Sequence, residues 1–312
     1  MNTTPTTEDR IWAVLSHLSC LALGMGIVLP IIGWSDQRRK SNYASFQSLQ
    51  ALGYQSLGFT VWVLSYLVII IAASLILLAI LGSRAGNSQN MDADLGPRIV
   101  VIFIVLFGFF ALYFLLPIIA AVACALGKDF RYPFLGYRLA RYLGYDPTQY
   151  LEAQSWLNED NEFRWVAAMG HFSILIMLWG MLAPLTAWIL YGKHSFFLRF
   201  QSAQTLLYQA AATVLFLGAG FLYLFGFTLF LALTGLTTEP NLSSPRAMLG
   251  VAVFGISLLI VFVIALLVPV MHVVGQWAGY RVLNGDNYRY PLVGRLVDKW
   301  ISNKSTVEEK LA

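Results

Sequence analysis

Long apolar stretches without a charged residue dominate the chain and alternate with short polar segments. The stretches cover residues 11–35, 41–83, 99–127, 165–192, 200–238 and 247–280. Each one exceeds the ~20 apolar residues that an α-helix needs to cross the hydrocarbon core of a bilayer. Strands of a membrane β-barrel would instead alternate apolar and polar residues over roughly ten positions. The pattern therefore predicts an all-α, multi-pass membrane protein.

The composition supports this prediction. Hydrophobic residues make up 58% of the 312 residues and charged residues 12%, compared with roughly 25% charged residues in soluble domains. The net charge of +4 comes from Lys and Arg in short loops and at helix ends, which is typical of a positive-inside bias and not of a nucleic-acid-binding surface. We therefore expect membrane lipids and other membrane proteins as partners, expect no nucleic acid, and infer no small-molecule substrate.

The chain contains an internal duplication. After a shift of 154 residues, seven of the ten positions in Phe46–Gln55 are identical in Phe200–Gln209, and His17 falls on His171. A shift of 158 residues aligns two Arg-Tyr-Pro sequences, Arg131, Tyr132 and Pro133 with Arg289, Tyr290 and Pro291. Chance matches between apolar helices involve Leu and Val and would not repeat Gln, His and Arg-Tyr-Pro in one order. The sequence thus predicts a tandem repeat of two similar helical membrane domains.

The repeat defines the expected domain boundaries. They are a polar N-terminus at 1–9, a first membrane repeat at 10–143, a polar linker at 144–163, a second membrane repeat at 164–300 and a polar tail at 301–312.

The positions of Lys and Arg bear on how the six stretches cross the membrane. If all six cross fully, 11 of these residues lie on one side and 9 on the other. If residues 11–35 and 165–192 dip in and return, the split is 17 to 3. The positive-inside rule prefers the second arrangement, with most basic loops and both termini on the cytoplasmic side of the cell membrane. We expect four full crossings plus two re-entrant or broken segments; the alternative is six full crossings as an inverted repeat.

Each repeat carries one polar stripe, because positions i, i+3 and i+7 share a helix face. The stripes are Gln47, Gln50 and Tyr54 in the first copy and Gln201, Gln204 and Tyr208 in the second. In hydrocarbon such groups must face protein or water. They either hold helices together through hydrogen bonds, line a polar path between the halves, or cap helix ends in the headgroup layer.

His17 and His171 recur at the same repeat position and extend the polar set. One His per copy, without a second ligand at helical spacing and without a neighbouring carboxylate, does not make a metal or haem site. Cys20 and Cys124 lie in apolar stretches and lack the spacing of a metal or disulfide pair. We expect a hydrogen-bonding role for the two His residues, and no cofactor or metal.

Enzyme chemistry finds no support in the sequence. The chain has no Ser-His-Asp order, Gly-rich phosphate loop or HExxH motif, and every Asp and Glu lies outside the six apolar stretches. A proton-driven transporter is disfavoured for the same reason, since such proteins commonly use an acid within the membrane. We therefore expect a protein that is not an enzyme.

The Arg-Tyr-Pro sequences follow the last long helix of each repeat. Aromatic rings prefer the membrane interface, Arg can extend to lipid phosphates, and Pro ends a helix. The residues expected to anchor these ends at the interface are Arg131, Tyr132, Pro133, Arg289, Tyr290 and Pro291. A protein-docking surface is the alternative.

The order of these motifs resembles the Tic-twenty-like family. The matching order is His-x-Ser early in the first helix, then Pro and Trp, then the Gln-rich helix start, then Gly-x-x-aromatic-Arg-Tyr-Pro. The resemblance covers residues 10–143 and again residues 164–300. It implies an integral membrane domain of unknown function in two tandem copies and, by distant similarity, a part in protein translocation.

Two functions follow from these observations. The first is a non-enzymatic scaffold, assembly factor or accessory subunit of a membrane complex. The alternative is a passive channel or protein-translocation component with a polar path between the repeats. A wet, continuous groove of Gln and Tyr side chains would favour the channel, whereas stripes closed against neighbouring helices would favour the scaffold.

Overall fold

The described part of the protein consists of helices joined by short turns. This computed structural model describes residues 4–84, 91–146, 156–234 and 244–301, and these ranges contain no β-strand. Six helical segments are long and apolar enough to span a membrane. The all-α, multi-pass prediction is confirmed. The predicted linker and C-terminal tail lie partly outside the described residues, so the predicted domain boundaries stay predictions.

The first apolar stretch folds into a hairpin. Helix α1 (Thr7–Leu18) begins at a capping box between Thr6 and Asp9, and a 3₁₀ segment (Ser19–Ile27) leads into α2 (Val28–Gln37). The chain turns at Leu23, whose φ is 54°. Gln37 Nε2 donates a hydrogen bond to Glu8 Oε1 at 3.1 Å. The two ends of this segment therefore lie at the same end of the molecule.

The second repeat forms the same hairpin. Helix α7 (Glu159–Phe172), a 3₁₀ segment (Ser173–Met181) and α8 (Leu182–Tyr191) follow one another, and Met177 has a φ of 52°. The turns require glycine, because a Cβ at Gly26 would lie 1.8 Å from the Ser19 carbonyl oxygen. Both segments are thus broken and fold back on themselves. Their re-entry on the same side of the membrane stays a prediction, with six full crossings as the alternative.

Long helices complete each repeat. The first repeat contains α3 (Asn42–Gly53), a π-helical turn (Tyr54–Gly58), α4 (Phe59–Arg84) and α5 (Met91–Ala125). The second contains the unbroken helices α9 (Phe196–Thr234) and α10 (Pro245–Leu283). Each of these two helices has 39 residues and is about 58 Å long, which exceeds the ~30 Å hydrocarbon core. Their ends therefore reach beyond the bilayer interior.

A short amphipathic helix follows the last long helix of each repeat. Helix α6 (Leu135–Leu143) buries Leu139 and Leu143 and leaves Arg138 and Arg141 exposed. Helix α11 (residues 293–301) occupies the matching place in the second repeat. The long helices instead expose apolar side chains, such as Ile104 and Phe221, as expected for surfaces that contact acyl chains.

The two repeats pack through matching elements. Helix α2 packs on α8, and the tips of the two hairpins contact each other, with Gly24 against Ile176. One contact breaks the symmetry, because Trp165 Nε1 of α7 donates to the Leu49 carbonyl of α3 at 2.9 Å. Its repeat counterpart, Ile11, is 52% exposed.

Basic residues concentrate where the hairpin ends meet the start of α3 and α9 and the end of α5 and α10. We call this region the basic end; it includes Arg10, Arg38, Lys128, Arg131, Arg164, Lys193 and Arg289. Helix α4 ends and α10 begins at the opposite end, with Arg84 and Arg246. Residues 302–312 of the C-terminal tail, expected on the same side as the N-terminus, lie outside the described residues. The cytoplasmic location of the basic end stays a prediction.

Candidate functional site: a buried polar network present twice

His17 joins three segments of the first repeat at the basic end. Its Nε2 lies 3.0 Å from Gln47 Oε1 on α3, and its Nδ1 lies 3.0 Å from the Tyr132 hydroxyl after α5. The amide oxygen of Gln47 can only accept, so His17 Nε2 carries the hydrogen. Nδ1 is then an acceptor, and the Tyr132 hydroxyl donates to it.

The two Gln side chains bind the backbone of the Arg-Tyr-Pro turn. Gln47 Nε2 donates to Asp129 Oδ1 and to the Phe130 carbonyl, each at 3.0 Å. Gln50 Nε2 donates to the same carbonyl at 3.0 Å, and its Oε1 accepts from the Tyr132 amide at 2.9 Å. Both Gln side chains are 0% exposed. They therefore supply the partners that this turn lacks after the helix ends.

Tyr54, the third member of the stripe, covers the network. Its ring stacks on Tyr132 with 4.3 Å between ring centroids, and its hydroxyl donates to the Tyr113 carbonyl at 2.7 Å. The aromatic pair adds an apolar contact to the hydrogen bonds beneath it.

The second repeat contains the same network. His171 lies 2.9 Å from the Tyr290 hydroxyl and 3.0 Å from Gln201 Oε1. Gln204 Oε1 accepts from the Tyr290 amide at 3.2 Å, and Tyr208 stacks on Tyr290 at 3.9 Å. The stripe residues and the two His residues are thus brought together in both copies.

The copies differ at the position of Asp129. Asn287 replaces it and accepts from Gln201 Nε2 at 2.7 Å. Burial raises the pKa of the Asp129 carboxyl above its ordinary value, and the charge of Arg131, 3.1 Å away, opposes this shift. The first copy therefore holds a half-buried acid where the second copy holds a neutral amide.

The Arg-Tyr-Pro residues differ in how far they are buried. Arg131 pairs with Asp129 and its side chain is 19% exposed, whereas Arg289 pairs with Asp298 and is 56% exposed. Their guanidinium groups also lie 5.9 and 5.2 Å from the rings of Phe46 and Phe200. Pro133 and Pro291 are exposed.

Tyr132 and Tyr290 point inward and are only 2% and 1% exposed. This corrects the expectation that their rings lie among lipid headgroups. Each hydroxyl is instead the hydrogen-bond partner of a buried His ring, so the ring packs inside the protein.

The structure also contains an ion-pair cluster between the repeats that the sequence did not suggest. Arg38, after α2, pairs with Glu162 at 2.7 Å and with Glu159 at 2.9 Å on α7. Trp34 Nε1 also donates to Glu162, and the Phe163 ring lies 4.3 Å from the guanidinium. Burial alone would lower the Arg38 pKa, but the hydrogen bond and charge of Glu162 outweigh it and raise the pKa. No sequence signal links residues 124 positions apart in two charged segments.

The buried network has the properties of a structural joint. Its Gln amide nitrogens all have acceptors, and its side chains face protein. Among the residues that the structure describes, the buried His and Gln side chains of the network line no continuous wet groove between the halves. In the described ranges, no group of three or more His, Cys, Asp or Glu side chains could hold a metal ion. This arrangement favours the scaffold interpretation over the channel.

Comparison with known proteins changes the family assignment. No curated protein and no solved structure gives a significant match to the chain. The profile of one protein family matches residues 8–139 and matches again at residues 162–297. It is not the Tic-twenty-like family, so that resemblance was wrong, whereas the tandem duplication is confirmed. The chain belongs, with both of its repeats, to the MamF/MmsF family of magnetosome magnetite crystal formation proteins.

Proposed function

We propose that this protein is a non-enzymatic scaffold or accessory subunit of the magnetosome membrane that acts in magnetite crystal formation. The family match in both copies supports the location in the magnetosome membrane and the part in magnetite crystal formation. The structure supports the kind of role, because the polar groups that could have served chemistry or transport bind one another instead.

The observation that supports this proposal most is that the polar side chains of both networks are buried and bind one another. Gln47, Gln50, Gln201 and Gln204 are all 0% exposed. A channel would need such groups to face water along a path. Each network instead forms hydrogen bonds between a hairpin, the start of one long helix and the turn that follows another long helix. These bonds fix the relative positions of the three segments.

The fused pair is proposed to act as one unit. A single-repeat protein would need a second copy to build the contact between α2 and α8, whereas this chain contains both halves. The cluster of Arg38 and Glu162 adds a buried ion pair across the same junction, where the separation of partners would leave an uncompensated charge. The junction thus fixes the relative position of the two apolar surfaces that the long helices of each repeat expose.

Those outward surfaces are the proposed sites of contact with lipids and with other magnetosome membrane proteins. The basic end, with the exposed Arg138 and Arg141 of α6, is proposed to face the cytoplasm. The opposite end, where α4 ends and α10 begins, would then face the compartment in which the crystal grows.

A complementation experiment tests the proposal. The chain is produced in a magnetite-forming bacterium that lacks its own member of this family, and crystal dimensions are measured by electron microscopy. We expect the chain to enter the magnetosome membrane and to restore the crystal dimensions. If the chain accumulates in that membrane and crystal dimensions stay those of the deletion strain, the proposal is wrong.

Two neighbouring arginines provide a matched control. The Arg38→Gln variant disrupts a side chain that is 5% exposed, whereas Arg39→Gln changes one that is 50% exposed. A rigid scaffold predicts that Arg39→Gln retains complementation and that Arg38→Gln reduces it, at equal amounts of protein in the membrane. Equal complementation by both would show that the junction between the repeats has no part in the function.

A further inference from the structure

The tip of the first hairpin borders a cavity of about 160 Å³. Its lining is mostly aromatic and apolar and includes one amide. The residues that carry the argument are Leu23, Gln55, Phe59, Trp62, Tyr113 and Phe114. None of their side chains is hydrogen-bonded to His17, Gln47 or Gln50, although the Tyr113 carbonyl accepts from Tyr54.

The second repeat builds the same cavity but leaves it closed. Its volume is about 10 Å³, close to the smallest space that holds one water molecule. Its lining residues Met177, Gln209, Thr213 and His272 stand at the repeat positions of Leu23, Gln55, Phe59 and Phe114. The cavity is therefore a feature of the repeat, enlarged in one copy.

The π-helical turn distinguishes the two copies at this place. Residues Tyr54–Gly58 form it in the first repeat, whereas α9 continues as an α-helix through the matching positions. Such turns displace the following helix and occur frequently at functional sites. Here Gln55 lies within the turn, and Phe59 and Trp62 begin the displaced helix. Both cavities are also lined by the hairpin residue with positive φ, Leu23 or Met177.

One buried polar atom of a residue that lines the cavity has no hydrogen-bond partner. Gln55 is 4% exposed, and its Nε2 donates to Ser19 Oγ at 2.9 Å and to the Ser16 carbonyl at 3.2 Å. Its Oε1 accepts nothing, and Gln209 Oε1 in the second repeat also accepts nothing. A buried acceptor without a donor destabilises a protein. A molecule that brings a donor into the larger cavity would relieve this.

We propose that the cavity of the first repeat binds an apolar molecule with one ring-sized group that carries a hydroxyl. The hydroxyl donates to Gln55 Oε1, and the ring packs against Trp62, Tyr113 and Phe114. Size supports this class of ligand, because an apolar protein cavity of about 150 Å³ accommodates benzene. Aromatic walls favour a ring through stacked and edge-to-face contacts. This binding site goes beyond the scaffold role and does not depend on it.

The probes are 4-fluorophenol and fluorobenzene, which differ in the hydroxyl group. Binding to the full-length protein in lipid nanodiscs is followed by ¹⁹F NMR, and empty nanodiscs correct for partition into lipid. We expect 4-fluorophenol to bind roughly three- to tenfold more tightly, as one hydrogen bond in a buried site would give. Equal binding of the two probes, or no binding above that of empty nanodiscs, overturns the proposal.

Variants locate the bound probe. Gln55→Leu should remove the preference for 4-fluorophenol, and the repeat-matched Gln209→Leu should retain it. If Gln55→Leu does not fold, Ile176→Phe serves instead, because Ile176 lines the cavity from the second repeat and a larger side chain fills it. Binding should then fall to the level of empty nanodiscs. A hydroxyl preference that survives both Gln55→Leu and Ile176→Phe places the probe elsewhere and overturns the proposal.

A third probe distinguishes a free small molecule from a lipid. It is 4-fluorophenol bearing a long alkyl chain. Displacement of 4-fluorophenol by this probe supports a lipid-borne ring whose chain leaves through the open side of the cavity. Failure to displace it supports a small free ligand.

Discussion

The Tyr132 hydroxyl donates a hydrogen bond to His17 Nδ1 over 3.0 Å and joins residues 115 positions apart. Tyr290 and His171 repeat this relationship at 2.9 Å. Each bond ties the first arm of a hairpin to the turn that follows the last long helix. The repeat is therefore held together by a contact between its beginning and its end.

Removal of this hydroxyl should affect the two copies unequally. Tyr132→Phe leaves His17 Nδ1 buried without a donor, which should lower the free energy of unfolding by about 1–3 kcal/mol. In the second copy, Thr205 Oγ1 lies 3.0 Å from His171 Nδ1 and can turn its hydrogen to this nitrogen, at the cost of its 2.6 Å bond to the Gln201 carbonyl. Tyr290→Phe should therefore destabilise less. Denaturant unfolding followed by tryptophan fluorescence measures both, and a larger effect of Tyr290→Phe would contradict the assignment of donors.

The ion pair between the repeats predicts a contrast between adjacent arginines. Arg38→Gln leaves Glu162 buried without its counter-charge, which should destabilise the protein by about 3–5 kcal/mol. Arg39→Gln, at a 50% exposed side chain, should change stability by less than about 1 kcal/mol. The comparison uses the midpoint of unfolding in one detergent. Similar midpoints for the two variants would mean that the cluster does not hold the repeats together.

Repeat-matched cysteines test whether the ends of both hairpins lie on the same side of the membrane. Lys40 and His194 stand at equivalent, exposed positions after the two hairpins, and Arg246 is exposed at the opposite end. We expect Lys40→Cys and His194→Cys to react with an impermeant thiol reagent from one side of the membrane, and Arg246→Cys from the other. Cys20 and Cys124 are buried and contribute little background. Labelling of Lys40→Cys and His194→Cys from opposite sides would establish the inverted repeat.

The sequence could predict the scaffold of each repeat because that scaffold depends on local pattern. Apolar length defined the helices, and the repeated Gln and His residues marked the polar face. The count of Lys and Arg predicted the hairpins, since a hairpin returns its ends to the same side.

The partners of the polar face could not be predicted in the same way. An aromatic and basic sequence after a long apolar helix looks the same whether its Tyr faces lipid or a His 115 residues earlier. The Arg38 and Glu162 pair was hidden for a similar reason, since both residues lie in segments where charges are expected. The family resemblance failed because short motifs in a shared order do not distinguish related classes of small membrane proteins.

Asp129 predicts a pH dependence that the second copy lacks. Its pKa is raised in the folded state, so the native protein binds more protons than the unfolded chain above the ordinary Asp range near about 4. The free energy of unfolding should therefore fall as the pH rises from that range through the folded-state pKa. Asp129→Asn, which copies Asn287, should remove this dependence and should not destabilise at neutral pH. Asn287→Asp is the control. Position 287 is exposed, so an Asp there should add little to the pH dependence of the free energy of unfolding. Stability that instead rises over this range because of Asp129 would reverse the sign of the effect.

Glycine substitutions in the two hairpin turns and in α5 should have opposite outcomes. In Gly26→Ala the new Cβ would lie 1.8 Å from the Ser19 carbonyl oxygen, so the backbone of the turn must move. The free energy of unfolding should fall by at least the roughly 1–3 kcal/mol typical of overpacking. Gly180→Ala should behave in the same way, since its Cβ would lie 2.0 Å from the Ser173 oxygen. Gly108 lies in α5 with nothing within 4 Å of a Cβ, so Gly108→Ala should stabilise the helix by up to about 1 kcal/mol. Thermal unfolding in lipid nanodiscs separates the three variants. If Gly26→Ala unfolds at the temperature of Gly108→Ala, the first segment does not turn back at this glycine, and a straight crossing would have to replace the hairpin.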